Sequence, residues 1–460
     1  MKFIVLNGSP KGEKSITLQY VHYLKKISKE HEFKVVHIAN RINKIEKDTE
    51  FFNQIMDDIK SSDGVLWAFP VYVFLVSSQY KRFIELVFER NAQKAFENKY
   101  TAILTTSIHF YDHTAINYVH GICDDMHMKF VDYYSAYMYD LLKPDKRKKF
   151  ACFFELFIDT IEKKQETLRK YMPIQQHAFK YEPNLEGKSI DTGDKKIILV
   201  ADLKEEDSNI KRMVDTFAHT LKDNIEIVNI NTLSIKGGCM GCIRCGYNNQ
   251  CFYEGKDAFI DFFKEELMKA DIIIFAGVIQ DRYLSARWKM FFDRAFFNTH
   301  IPSLKNKQIG FMISGPLQQL PNLQELLHAY VEEQGASLCG LVTDEYNDSR
   351  EVDKGLYLLA SQAIQHCEKK YIRTFTFLGI GGMKIFRDDM WGKLRFPFIA
   401  DYRYYKKNGL FDFPQKNYKS RLKNGFLCLV SNIPSVRKEI YVNRMKDGII
   451  KPFKQVLESE

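Results

Sequence analysis

The chain of 460 residues carries the same order of short apolar segments and helical segments twice. In each copy four apolar segments alternate with helical ones, an order that indicates a doubly wound parallel sheet. The first apolar segments are 2–7 and 196–202, and the third are 64–69 and 271–277. We interpret this as an internal duplication with a period near 190 residues, so that the two halves would pack as a pseudo-dimer within one chain.

The repeat divides the chain into four predicted parts. The two α/β copies are 1–172 and 196–370, and the polar stretch 173–195, with Pro, Gly and charged residues, is a linker. The alternation fades after about residue 370, and 371–460 form an extension rich in aromatic and basic residues. Its aromatic content predicts order rather than disorder. The predicted fold class is therefore α/β, with two doubly wound parallel-sheet domains in tandem and a C-terminal extension.

A loop of small and hydroxyl residues joins the first strand to the first helix. Ser9, Ser15 and Thr17 supply hydroxyl groups, and Lys11 adds positive charge. Amide groups at a helix N-terminus favour an anion, so the loop suits a phosphate. It matches neither the Walker A nor the GxGxxG pattern. A helix cap on a tight turn explains it equally well at this point.

Two further segments end at the same edge of the predicted sheet. The third strand runs into Pro70, Val71, Tyr72 and Val73, and the fourth into residues 105–109. Open α/β sheets bind their ligands at this carboxyl edge. The three segments together predict a ligand site in the first half.

These motifs resemble the flavodoxin-like NAD(P)H-dependent FMN reductases. The resemblance rests on Gly-Ser-Pro-Lys followed by Ser-x-Thr, then on Pro-Val-Tyr before a Lys-Arg-Phe-Ile-Glu helix, and it covers roughly 1–370. It implies two flavodoxin-like domains and an FMN whose phosphate is held by Ser9, Lys11, Ser15 and Thr17. It implies an isoalloxazine ring held by Pro70, Val71, Tyr72, Val73, Thr105, Thr106, Ser107 and His109. No Rossmann fingerprint is present, so NAD(P)H would bind only transiently, over the flavin.

Three side chains are candidates for contact with the reacting part of such a ring. Tyr72, His109 and Tyr111 would donate hydrogen bonds near it. The alternative is that they are an ordinary loop histidine and packed tyrosines.

Four of the nine cysteines lie within one short segment of the second half, as C-x2-C-x2-C-x5-C. They are Cys239, Cys242, Cys245 and Cys251. Closely spaced thiolates hold [4Fe–4S] clusters, whereas structural zinc sites use pairs of cysteines farther apart. Zinc and a bare thiol loop remain alternatives. The spacing resembles the iron–sulfur flavoproteins, a branch of the same reductases, and this resemblance implies a [4Fe–4S] cluster.

The two halves differ in a complementary way. Where the first half has its phosphate loop, the second has Asp202, Glu205, Glu206 and Asp207, which would repel a phosphate. The first half has no cysteine between its second and third strands. We therefore predict one FMN in the first half and one cluster in the second.

The net positive charge of the chain is concentrated in its last 90 residues. Residues 371–460 hold 18 Lys and Arg against 8 Asp and Glu, whereas the first 370 hold 49 against 50. The aromatic residues there would cover the cofactor cleft or a domain interface, or the basic ones would dock an acidic carrier such as ferredoxin or flavodoxin. An anionic membrane surface is a further alternative, although the sequence shows no clear amphipathic helix there. No motif indicates a nucleic-acid partner.

The sequence as a whole predicts a flavin and iron–sulfur oxidoreductase. It would move electrons between NAD(P)H or a one-electron carrier and a small-molecule acceptor such as a quinone, a nitro compound or an enone. The alternatives are an electron-transfer protein without a small-molecule substrate and a zinc-stabilised FMN reductase. No secretory signal and no apolar run long enough to span a membrane are visible. We expect a cytoplasmic protein, either a monomeric pseudo-dimer or a homo-oligomer.

Overall fold

A computed structural model describes residues 1–175, 178–184, 189–222, 224–412 and 417–459. Its strands are β1 (Lys2–Asn7), β2 (Glu32–His37), β3 (Gly64–Pro70), β4 (Tyr100–Ser107), β5 (Lys129–Tyr137), β6 (Ile197–Ala201), β7 (Glu226–Asn229), β8 (Ile272–Gln280), β9 (Tyr283–Leu284), β10 (Gln308–Ser314) and β11 (Ser337–Thr343). Its α-helices are α1 (Ile16–Ile27), α2 (Ile42–Lys47), α3 (Thr49–Lys60), α4 (Ser78–Glu89), α5 (Asp112–Asp125), α6 (Pro144–Glu162), α7 (Asn209–Thr220), α8 (Cys245–Asn248), α9 (Phe259–Asp261), α10 (Ala286–Ala295), α11 (Pro321–Glu333), α12 (Ser349–Glu368), α13 (Phe377–Trp391), α14 (Ile399–Lys407), α15 (Tyr418–Val430), α16 (Pro434–Lys438) and α17 (Met445–Ser459). The predicted linker, 173–195, lies partly outside the described residues.

The two halves contain sheets of the same strand order. The first sheet runs β2-β1-β3-β4-β5 and the second β7-β6-β8-β10-β11, with all neighbours on these paths parallel; β9 pairs antiparallel with β8. This order confirms the predicted fold class of two doubly wound parallel-sheet domains. Each sheet also has a fifth parallel strand, β5 or β11, that the apolar pattern did not reveal.

Both faces of the first sheet are covered. Phe3 and Val5 point to one side, where they join the core formed with Phe154 and other α6 residues. Ile4 and Leu6 point to the other side, into a core that also contains residues of the second domain. Alternation along β1 therefore directs apolar side chains into a core on each face of the sheet.

Helices α4 and α10 join the two domains because a carboxylate of each helix caps the N-terminus of the other. The Ser78 backbone amide, at the start of α4, donates to Asp293 Oδ2 at 2.7 Å. The Ala286 amide, at the start of α10, donates to Glu85 Oε1 at 2.5 Å. Each helix thus supplies a buried carboxylate to the free amides of the other. This reciprocity gives the two domains a pseudo-dimeric contact within one chain.

The extension divides at residue 404 into two parts. Residues 1–404 form one compact unit, and a second begins at Tyr405. In the first unit, Glu332 of α11 caps the start of α13. Its Oε2 accepts hydrogen bonds from the Thr376 and Gly379 amides at 2.8 Å each. The second unit contains α15, α16 and α17. Among the described residues, no helix is long and apolar enough to cross a membrane.

Candidate active site

A cavity of about 280 Å³ opens at the carboxyl edge of the first sheet. The loops after β1, β3 and β4 form one side of it. The opposite side comes from α10, α11 and the cysteine loop of the second domain, and residues 386–398 of the extension close it. The volume is of the order of known small-molecule sites, about 300 Å³ and upward.

Hydroxyl groups and one ammonium group form one end of this cavity. Ser9, Lys11, Ser15 and Thr17 all line it. Ser15 is buried at the start of the 12-residue helix α1, yet its side chain does not cap the helix. The Thr17 and Thr106 hydroxyls lie 2.6 Å apart, which joins this loop to β4. Uncapped helix amides beside a lysine fit a phosphate group.

The chain reverses tightly after β3. The Tyr72 amide donates to the Leu75 carbonyl at 2.7 Å, and the Leu75 amide donates back at 3.0 Å. Between them Val73 and Phe74 have φ values of 36° and 67°. Left-handed backbone at a β-branched and a bulky residue costs about 1–3 kcal/mol each, and such strain clusters at functional sites. Lys289 of the second domain holds the turn, since its Nζ donates to the Tyr72 carbonyl at 2.8 Å.

The second domain has a matching turn between β8 and β9. Asp281 and Arg282 also have positive φ values, 48° and 62°. Lys81 of the first domain donates from Nζ to the Gln280 carbonyl at 3.0 Å. Each domain thus fixes the edge turn of the other, so the shape of the cavity depends on both.

The four clustered cysteines line a second cavity, of about 40 Å³. It shares Gly241, Ile243 and Phe296 with the larger cavity. The loop is tied to the first domain at Gln79, whose Nε2 donates to the Cys239 carbonyl at 3.1 Å. Within the described part of the chain, no three His, Cys, Asp or Glu side chains converge enough to hold one metal ion.

Gly241, between the first two cysteines, packs directly on the flank of the larger cavity. A Cβ atom at this position would lie 1.9 Å from Tyr72 Oη and 2.9 Å from Lys11 Cε. Its φ of +63° is also in the left-handed region that glycine tolerates. Burial lowers the pKa of Lys11, and negative charge on Cys239 or Cys242 would raise it. The cysteine loop is therefore in contact with both the lysine and the turn.

The far wall of the cavity is aromatic. His300 packs against Phe386 and Phe398, with ring centroids 4.0 and 4.9 Å apart. Its Nδ1 lies 2.6 Å from Oδ2 of the fully buried Asp401. These contacts fix residues 386–401 over the cavity.

Glu333 is a partly buried carboxyl group in this wall. A Cβ at Gly382 of α13 would lie 3.1 Å from Glu333 Oε2 and 2.5 Å from the Phe110 ring, so the carboxyl group faces the underside of α13. Burial raises the pKa of Glu333 to about 8. Near neutral pH this side chain is therefore largely protonated, and it would donate rather than accept a hydrogen bond.

The raised pKa of Glu333 gives a prediction about stability. Between pH 5 and 8 the folded chain keeps a proton that the unfolded chain releases, so this group lowers stability as pH rises. Glu333→Gln removes the effect. We expect the Tm of the variant, relative to that of the original chain, to increase by several degrees between pH 5 and pH 9, because the pKa shift changes the free energy of unfolding by about 4 kcal/mol over this range. Differential scanning fluorimetry across this range checks it, and Tm curves that stay parallel would contradict it.

Most of the predicted flavin residues line the cavity, but three do not. Those on the wall are Ser9, Lys11, Ser15, Thr17, Pro70, Val71, Tyr72, Val73, Thr106 and Ser107. The Tyr111 hydroxyl is engaged elsewhere, because it donates to the Leu378 carbonyl at 3.0 Å. The His109 ring is half exposed, with Nδ1 2.8 Å from Asp112 Oδ2. Thr105 is fully buried within β4.

Sequence reasoning missed the wall contributed by the second domain, although it expected aromatic residues of the extension over the cleft. Phe292, Phe296, Tyr330 and Glu333 are examples. Their spacing is that of ordinary core positions on helices, which carries no sign of a cavity. Of the extension aromatics expected over the cleft, Phe398 lines the cavity, whereas Trp391 and Phe396 are largely exposed.

The sequence profile of the NADPH-dependent FMN reductase family matches residues 1–137 and, a second time, 195–339. The two matches cover more than half of the chain. The chain therefore belongs to this family, whose members are FMN-dependent NAD(P)H oxidoreductases, and each match falls on one of the two α/β domains.

Solved structures similar to the chain correspond in length to single domains. The flavoenzyme FerB, an NAD(P)H:acceptor oxidoreductase from Paracoccus denitrificans, is 20% identical over 35% of this chain and 97% of its own, with a TM-score of 0.30. An FMN-dependent NADH-azoreductase from Bacillus anthracis, in complex with FMN, is 9% identical over 35% of this chain and 99% of its own, with a TM-score of 0.26. The comparison with curated proteins finds no match.

Proposed function

We propose that the chain holds one FMN in the larger cavity and one [4Fe–4S] cluster on its four clustered cysteines, and that it passes electrons between them and a small-molecule acceptor. The contact of Gly241 with Tyr72 and Lys11 carries the proposal, because it joins the cysteine loop to the wall of the cavity. An electron moving between two centres needs them close together, and these cavities share three lining residues.

The residues at the sheet edge fit FMN. The uncapped start of α1, with Ser15 and Lys11, would hold the phosphate. The backbone of Pro70–Val73 would lie along the ring, and the strained turn at Val73 and Phe74 would keep that edge in position. Phe110, Phe386 and Phe398 would exclude water from the ring.

The cysteine loop fits a cluster. All four thiols are free and line one small cavity. A single zinc ion would need the four sulfurs within about 3.8 Å of one another, given Zn–S bonds near 2.3 Å, whereas each cysteine of a [4Fe–4S] cluster binds a separate iron. Aromatic residues such as Phe252, Tyr253 and Phe297 line the same cavity and would shield it from water.

The second domain supports a count of one flavin per chain. At the equivalent edge of its sheet lies a cavity of about 230 Å³ lined by Asp344 and Glu345. Asp202, in the place of the phosphate loop, accepts a hydrogen bond from Asn231 Nδ2 at 2.8 Å and another from Ser285. Carboxylates at this position would repel the negative charge of a phosphate group.

FMN supplies two-electron exchange with a nicotinamide and one-electron exchange with a metal cluster or carrier. The chain itself would position the donor and acceptor over the open face of the cavity and exclude water. The mainly protonated Glu333 would offer a proton at that wall. A quinone, a nitro compound or an enone would be the acceptor, with NAD(P)H as a transient donor or ferredoxin or flavodoxin as a one-electron partner.

Cofactor analysis of anaerobically purified protein tests the proposal. We expect about one FMN and about four irons per chain, with equal acid-labile sulfide. Cys242→Ser should lose most of the iron and keep its FMN, because only a ligand of the cluster is removed. Cys152→Ser is the matched control, an exposed cysteine on α6 whose loss should change neither content.

Three results would contradict the proposal. Zinc in place of iron would make the loop structural and leave a simple FMN reductase. Two FMN per chain would overturn the division between the domains. Iron that survives Cys242→Ser and falls with Cys152→Ser would place the metal elsewhere.

A further inference from the structure

The second compact unit, from residue 405 onward, presents two helices with exposed apolar faces. On α15, Leu422, Phe426 and Leu429 follow one another at helical spacing. On α17, Ile449, Phe453 and Leu457 do the same. All six side chains are between 61% and 77% exposed. Monomeric domains rarely leave large aliphatic and aromatic side chains in such rows facing water.

The same helices are strongly basic. Residues 418–459 contain nine Lys and Arg against three Asp and Glu. Helical spacing puts Lys419, Lys423 and Lys454 at the margins of the apolar rows. Long lysine side chains in this position extend their charge away from an apolar surface beneath them.

We propose that α15 and α17 dock the protein on an anionic membrane surface. Helices of 13 and 15 residues are too short to span a bilayer but suited to lie in its interface. Their apolar rows would enter the boundary between headgroups and acyl chains, and the flanking lysines would meet lipid phosphates. A folded acidic protein would satisfy the charge, but it would need an apolar groove for each of the two rows, whereas a lipid interface receives both without such matching.

Sedimentation with lipid vesicles tests this inference on the full chain with its cofactors. We expect binding to vesicles with 30% phosphatidylglycerol to exceed binding to pure phosphatidylcholine at least tenfold, and to fall several-fold in 0.5 M NaCl. Phe426→Glu with Phe453→Glu should lower binding at least tenfold. Phe396→Glu changes an aromatic of the first unit that is even more exposed than Phe426 and Phe453; it is the control and should bind as the original chain does.

The lipid and salt dependence of the original chain keeps the test decisive even if the double variant folds poorly. Equal binding to both vesicle types, or none, would overturn the inference. So would a dimer in size-exclusion chromatography that the double variant converts to monomer, because a second copy would then cover the rows. Salt-sensitive binding to an acidic ferredoxin without vesicle binding would assign the surface to a protein partner instead.

Discussion

Lys289→Met is expected to destabilise the chain by about 3–5 kcal/mol, seen as a fall in Tm of several degrees. Lys289 and Asp293 form a fully buried ion pair on α10, in the contact with the first domain. Without the ammonium group, Asp293 is a buried charge whose described donors come only from Ser78, at the start of α4. The Tyr72 carbonyl also loses its donor, so the strained turn loosens. Thermal unfolding followed by circular dichroism measures the loss.

Two further variants and a pH series separate the buried pair from a general effect of losing a lysine. Lys211→Met breaks an exposed pair with Asp215 at the same helical spacing and should cost less than about 0.5 kcal/mol. Lys289→Met with Asp293→Asn removes the unpaired charge and should recover at least half of the loss. Burial raises the pKa of Asp293, and losing Lys289 raises it further, so the deficit should shrink as pH falls toward 5. Equal losses from both lysine variants would contradict the explanation.

Local sequence pattern was enough to predict the fold class. Strands β1, β3, β4 and β8 are buried on both sides and therefore appear as continuous apolar runs. The fifth strand of the first sheet, β5, lies at the edge and is only partly buried, so polar residues interrupt its pattern. Strand β11 contains Ser337, Gly340 and Thr343, which interrupt its apolar pattern in the same way.

The candidate site was predictable only on the side made by local motifs. The residues from Ser9 to Thr17 and from Pro70 to Val73 lie in short segments whose chemistry is visible in the sequence. The opposite wall depends on pairs such as Lys289 with the Tyr72 carbonyl, which are far apart in the chain and follow from how the domains pack. His109 and Tyr111 looked like ring contacts because they follow β4, but their polar atoms are engaged with Asp112 and Leu378.

Gly241→Ala is expected to weaken FMN binding at least tenfold, because the new methyl group would overlap the Tyr72 hydroxyl and press on Lys11. A Cβ 1.9 Å from Tyr72 Oη requires the Tyr72 side chain, the cysteine loop or the turn to move. Each of these movements displaces residues proposed to hold the ring or the phosphate. Fluorescence titration of the FMN-free protein gives the affinity, and the iron content reports whether the cysteine loop itself is disturbed.

Gly255→Ala separates this overlap from backbone strain. Gly255 has a similar φ, +69°, but no atom lies within 4 Å of its added Cβ, so the variant should cost about 1 kcal/mol of stability and leave FMN affinity unchanged. Adding Tyr72→Phe to Gly241→Ala removes the overlapping oxygen and should restore much of the affinity, measured against Tyr72→Phe alone. Equal losses from the two glycine variants would mean that strain, and not contact with the cavity, explains the effect. No recovery in the double variant would mean that the loop meets the flavin residues through Lys11 rather than Tyr72.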